Sequence, residues 1–252
     1  MSESVGLDSN WGPTMPEAYS ANLTRWDRNA SVIDNALQLT RRAINRLRKM
    51  GARDTARYSY HILVQALLTA YNDLRFGRKL CRFYPGSNKE LEGAHVIEPT
   101  PYWSLQDSFK RISISSTDVL VDVGCGEGRV LNFWLSLGLK NQLVGIEINE
   151  AAAKGAARRY RKWPNVQVIC GDAIAIAPSC GGTIFYLSNP FSESVLAEFE
   201  RVLRGADVRI IYYNPQAMMT FENGRWDTQA IRQFKPQWYE YDVVFISPRL
   251  GI

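Results

Sequence analysis

The chain has 252 residues, of which 46% are hydrophobic, 22% charged and 12% aromatic. These values exclude a disordered chain, a collagen-like repeat and a disulfide-dense secreted module, and leave room for one domain with a large core or two smaller ones. Thirty Lys and Arg against 25 Asp and Glu give +5, a mild basic excess compatible with acidic partners.

Residues 1–29 carry Gly, Pro, Asn and Ser without a sustained period, which predicts an irregular arm. The first sixteen lack the charged start and apolar stretch of a signal peptide. Over 31–50, Ile33, Leu37, Ile44 and Leu47 recur at helical spacing. A second helix is predicted over 55–76, apolar around most of its circumference (Ile62, Leu63, Val64, Leu67, Leu68, Tyr71, Leu74), so burial is expected. Its apolar run at 61–71 is about half the ~20 residues of a bilayer crossing, so no membrane contact is expected. Residues 41–82 hold eleven basic residues against two acids, net +9, which leaves −4 for the rest. The helical period favours the solvated face of a cap; a footprint for nucleic acid or protein is the other reading.

From about residue 118, strands are predicted at 119–123, 143–147, 166–170, 183–187, 208–212 and 241–246. Helices at 128–138, 150–162 and 192–203 fall between them, and 226–234 is a weaker strand pattern. This alternation predicts an α/β fold, a doubly wound, mostly parallel sheet with a helical N-terminal extension. The expected division is 1–115 (arm and helical cap) and 116–252 (α/β domain). Cys81, Cys125, Cys170 and Cys180 form no Cys-x-x-Cys pair and meet no His at ligand spacing. No metal site is expected, and reduced thiols in a cytoplasmic protein are.

The sharpest signal is Asp122-Val123-Gly124-Cys125-Gly126-Glu127-Gly128 at the end of the first strand. Such glycines let the backbone turn sharply and approach a ligand, with helix N–H groups beyond. A dinucleotide loop would place its third glycine where Arg129 stands, and Asp122 would face a pyrophosphate. A carboxylate there suits a cationic ligand.

This loop resembles the first motif of class I S-adenosylmethionine-dependent methyltransferases, which Asp122, Gly124, Gly126 and Gly128 match position for position. The resemblance implies a seven-strand sheet with an antiparallel last strand and S-adenosyl-L-methionine as cofactor. It implies that Asp122 and the loop, Cys125 included, hold the amino-acid end. Glu147, 21 positions beyond Gly126, would accept the ribose hydroxyls, with Ile148 beside it. In Gly171-Asp172-Ala173, Asp172 would meet the adenine amino group and the Ala173 amide a ring nitrogen. Tyr102, in Glu98-Pro99-Thr100-Pro101-Tyr102, stands where several subfamilies place a Tyr over the cofactor; an ordinary proline-rich link is the alternative.

Ser188-Asn189-Pro190-Phe191 resembles the [Asn/Asp/Ser]-Pro-Pro-[Tyr/Phe] signature of nitrogen methyltransferases, with one proline absent. The resemblance makes Asn189, Pro190 and Phe191 the catalytic set, with Asn189 also near the cofactor. The alternative is a strand-end turn in which Asn189 caps the next helix and Phe191 is core. His61 reads as a core residue of its helix, and His95 as a candidate base. The expected activity is methyl transfer, with a small-molecule acceptor favoured because a helical segment makes a common lid. Protein nitrogen or nucleic acid, reached through residues 41–82, is the next reading, and a non-catalytic cofactor-binding scaffold another.

Overall fold

Alternating side chains along four strands divide a seven-stranded sheet between two cores. The computed structural model describes residues 51–77, 99–221, 224–235 and 239–249. The expectations for residues 1–50, for Cys81, His95 and Glu98, and for the basic residues 78–82 fall outside them, as does the side chain of His61. Backbone proximity divides the chain into units 1–59 and 60–252.

The strands are β1 (Val119–Val123), β2 (Gln142–Glu147), β3 (Val166–Cys170), β4 (Ile184–Ser188), β5 (Arg209–Tyr213), β6 (Trp226–Lys235) and β7 (Tyr239–Pro248). They lie in the order β3-β2-β1-β4-β5-β7-β6. The first five run parallel, and β7 is antiparallel to both β5 and β6. The weak pattern at 226–234 is therefore a full ten-residue strand at the sheet's edge.

Successive residues of a strand point to opposite faces. Val121, Val144, Phe185 and Ile210 pack with Leu196, Phe199 and Phe221 on one face. Their neighbours Leu120, Leu143, Ile184 and Ile211 pack with Phe109, Phe133, Trp134 and Tyr160 on the other. Strands covered on both sides read as continuous apolar runs, which is why β1, β2, β4 and β5 were legible in the sequence; β3, at the edge, was marked by its β-branched residues.

At the sheet's lower end, Asp118 accepts from the Ser115 amide (2.7 Å), the Thr183 hydroxyl (2.8 Å) and Arg209 (2.8 Å). Burial alone would raise its pKa; these donors and the Arg209 charge outweigh that and hold it below the usual carboxylate range. They tie β1, β4 and β5 in register.

Two helices depart from expectation. The proline-rich stretch leads into a helix, Tyr102–Phe109, capped by Pro101 and buried along Tyr102, Leu105 and Phe109. The helix Ala52–Arg75 keeps Leu63, Leu67, Tyr71 and Leu74 about 60% exposed, a correction to its expected burial. Apolar residues around a helix predict a partner but do not supply one. Here the anchorage lies at the helix's end, through Asp73 and the neighbouring Phe76, which are both buried. No described helix is long and apolar enough to cross a membrane.

Candidate cofactor site at the glycine loop

The C-terminal ends of β1, β2 and β4 bring the predicted motifs together. The Gly124 and Cys125 amides both donate to the Ile146 carbonyl (2.9 and 3.0 Å), which folds the loop over β2. Gly128 donates to the Cys125 carbonyl at 2.7 Å and has φ +82°. A Cβ at Gly128 would lie 2.6 Å from the Tyr160 hydroxyl, so this glycine is required by both conformation and space. That hydroxyl is 2.6 Å from both the Gly128 carbonyl and Asn132 Oδ1. The Cys125 side chain is buried against Gly145, and burial, reinforced by Asp122 and Glu147, pushes its thiol up.

Glu147 accepts the Gly126 amide on Oε2 and the Asn149 amide on Oε1, each at 2.7 Å. A carboxylate has about four acceptor positions, so it retains capacity for ribose hydroxyls. Its pKa is raised by burial, which outweighs these amides. Asp122 is buried, and its Oδ2 has no hydrogen-bond partner among the described residues. Burial, and then the neighbouring Glu147 charge, push Asp122 well above the carboxylate range. An ammonium group would reverse both effects by giving Oδ2 a donor and the pair a counter-charge. The orphaned oxygen therefore fits the cationic end of S-adenosylmethionine.

The remaining expected residues take varied places. Asp172 is exposed and caps the short helix Ala173–Ile176, accepting from the Ile174 amide at 2.9 Å, with Ala173 buried behind it. Ile148 is 39% exposed. Asn189 has φ +46°, and its Oδ1 accepts from the Tyr212 hydroxyl at 3.1 Å. The cap of the helix Glu193–Val202 is Ser192, so Asn189 does not take the capping role. Pro190 abuts the glycine loop: a Cβ on Gly124 would come within 3.1 Å of its own Cβ. The Phe191 ring packs on Phe199 with centroids 5.3 Å apart.

Next to the glycine loop, Thr100, Asp73 and Arg129, which the sequence did not mark as site residues, bond with one another, with Tyr102 and with Ser188. Thr100 donates to Ser188 Oγ at 3.0 Å. Arg129, next to Gly128, bonds the Pro99 carbonyl (3.1 Å) and pairs with Asp73 Oδ2 (2.9 Å). Tyr102 donates to Asp73 Oδ1 at 2.7 Å. The Tyr102 hydroxyl thus lies in a buried ion-pair network, where burial and Asp73 push its pKa up. The available signal was Asp73 itself, an acid in the mainly apolar second half of its helix.

Residues 120–206 match the family model described as a methyltransferase domain. No curated protein matches the chain. Similar solved structures include an RNA methyltransferase from Salinibacter ruber in complex with S-adenosyl-L-homocysteine, 22% identical, spanning 62% of this chain and 96% of that one with a TM-score of 0.47. Another is the m1A22 tRNA methyltransferase TrmK of B. subtilis, 15% identical over 60% of this chain and 68% of that one, TM-score 0.47. A third is the pyocyanin biosynthetic protein PhzM, 15% identical over 56% and 52%, TM-score 0.46. Residues 120–206 thus carry a methyltransferase domain, set in a seven-strand sheet with the glycine loop at the end of its first strand.

Proposed function

We propose that the protein transfers a methyl group from S-adenosylmethionine to a nitrogen acceptor presented at the turn Ser188-Asn189-Pro190-Phe191. The observation that carries this reading is the buried, unpartnered Asp122 Oδ2 beside Glu147, at a loop that Pro190 adjoins. In this reading Asp122 and the loop amides hold the amino-acid end of the cofactor, and Glu147 accepts from the ribose hydroxyls. Asp172, Ala173 and Ile148 border the adenine. S-adenosylmethionine brings a methyl group already activated on a sulfonium, so the protein's contribution is alignment and exclusion of water. Tyr212 fixes the Asn189 amide toward that task, and Phe191, seated on Phe199, supports the turn.

Calorimetry with S-adenosylhomocysteine tests the cofactor site, and absence of binding by folded protein would overturn it. Radiolabelled methyl transfer into a host lysate, separated into protein, nucleic acid and small molecules, tests catalysis and identifies the acceptor class. Cofactor binding with label in none of the three fractions would favour a non-catalytic scaffold.

A further inference from the structure

A second charged region adjoins the glycine loop. The helix Glu150–Tyr160 starts on an Asn149 cap, with Glu150 in its first turn and Arg158 and Arg159 in its last, as the helix dipole favours. Arg161 and Lys162 follow directly. With Phe76 and Gly77 these four cations line an open cavity of about 640 Å3. Among the described residues no carboxylate lines it and none of the four cations is ion-paired.

Local bonds set three of these cations in place. Arg158 Nε donates to the Lys154 carbonyl at 3.3 Å. Lys162 sits over the Trp163 ring, 4.3 Å from its centroid. Arg159 donates to the Gly77 carbonyl (3.1 Å) and to the carbonyl of Glu127, inside the glycine loop. Arg159 therefore joins the basic surface to the cofactor loop. In the sequence Gly77 is followed by Arg78, Lys79 and Arg82.

We infer that this surface binds the phosphodiester backbone of a nucleic-acid acceptor, an inference that rests on the methyltransferase reading and names its substrate class. Four like charges with no acid between them repel one another, and a polyanion relieves that repulsion while releasing its own counterions. Guanidinium groups match phosphate oxygens in two-pronged geometry. Phe76, the apolar wall of the cavity, is only 5% exposed, so the surface offers charge with little of the apolar area that protein partners bury. The contacts position a strand rather than read its bases.

The test is fluorescence anisotropy of the full chain with labelled single-stranded RNA, DNA of the same sequence and a poly-glutamate peptide, at 50 and 200 mM salt. Calorimetry with S-adenosylhomocysteine runs in parallel. The variant Arg158→Gln/Arg161→Gln/Lys162→Gln leaves Arg159 and its loop contact intact. Three lost phosphate contacts lower the salt slope by about 2, so raising the salt should weaken the wild type about 20-fold more than the variant. The variant should bind S-adenosylhomocysteine as the wild type does, which shows that it is folded. No oligonucleotide binding at 50 mM salt, an unchanged slope in the variant, or poly-glutamate binding as tightly as RNA would each overturn the inference. Bound oligonucleotide without cofactor binding would instead overturn the methyltransferase reading.

Discussion

The strap formed by Asp73, Tyr102 and Arg129 and the glycine loop beside it each bury a carboxylate, under opposite conditions. Asp73 has the Arg129 guanidinium at 2.9 Å and the Tyr102 hydroxyl at 2.7 Å. Asp122 has an oxygen without a partner and the Glu147 charge nearby. Burying a charge is costly unless it is paired and hydrogen-bonded. The first carboxylate therefore belongs to the fold. The second is held in a state that a cationic ligand relieves, and for this reason we propose that it serves the cofactor.

The comparison is broken most directly at the strap. Replacing Asp73 by Ala should destabilise the protein by about 3 kcal/mol in denaturant unfolding, because Arg129 and the Tyr102 hydroxyl lose their partner. A double substitution with Arg129→Leu should recover part of that loss. Equal stability of wild type and Asp73→Ala would show that the ion pair is not structural.

At the loop the effect moves from stability to binding. Asp122→Ala and Glu147→Ala should each weaken S-adenosylhomocysteine binding by about 2 kcal/mol, roughly thirtyfold, in calorimetry. Unchanged affinity in both variants would remove the site assignment. Asp122→Asn should leave the ligand-free protein as stable as the wild type or more so, the reverse of Asp73.

Gly128→Ala should cost about 1–2 kcal/mol, since the new Cβ meets the Tyr160 hydroxyl at a positive φ. Pairing it with Tyr160→Phe should relieve the contact in part but not the backbone strain, a difference that thermal melts resolve.

The smallest effect is in pH dependence. An acid whose folded pKa is raised keeps its proton after the unfolded chain has lost its own, at about pH 4. Asp122 therefore contributes stability at low pH that is lost as the pH rises through its folded value. The melting temperature of Asp122→Asn relative to wild type should increase with pH, and a constant difference would show that Asp122 ionises normally. Because a cationic ligand favours the charged carboxylate, affinity for S-adenosylhomocysteine should fall with falling pH over the same range.

The legible parts were those encoded over a few residues. The first five strands appeared as short apolar or β-branched runs with errors of one residue at their ends; β1, β2, β4 and β5 are covered on both faces, while β3, at the sheet's edge, keeps Gln167 and Cys170 exposed. Gly124, Gly126 and Gly128 were legible because a sharp strand-to-helix turn restricts the residues it accepts. The helix Tyr102–Phe109 was hidden behind Pro99 and Pro101, which read as a link, although Pro101 in an extended conformation is a serviceable helix entry. The helix Ala52–Arg75 misled for a different reason: its composition reports hydrophobicity, while burial depends on what packs against it.

Local periodicity and turn chemistry thus settled the order of strands and helices and the positions of Asp122, Glu147 and Asp172 at strand ends. Partnership between distant side chains had to come from the folded chain. Asp73 and Arg129 are 56 residues apart, and the Arg159 side chain reaches Glu127 across 32. Neither sequence neighbourhood identifies the partner, because charges gain partners through the packing of whole elements. Packing alone made Asp73 a structural carboxylate, left Asp122 Oδ2 without a partner among the described residues, and joined the cations of residues 158–162 to the glycine loop through Arg159.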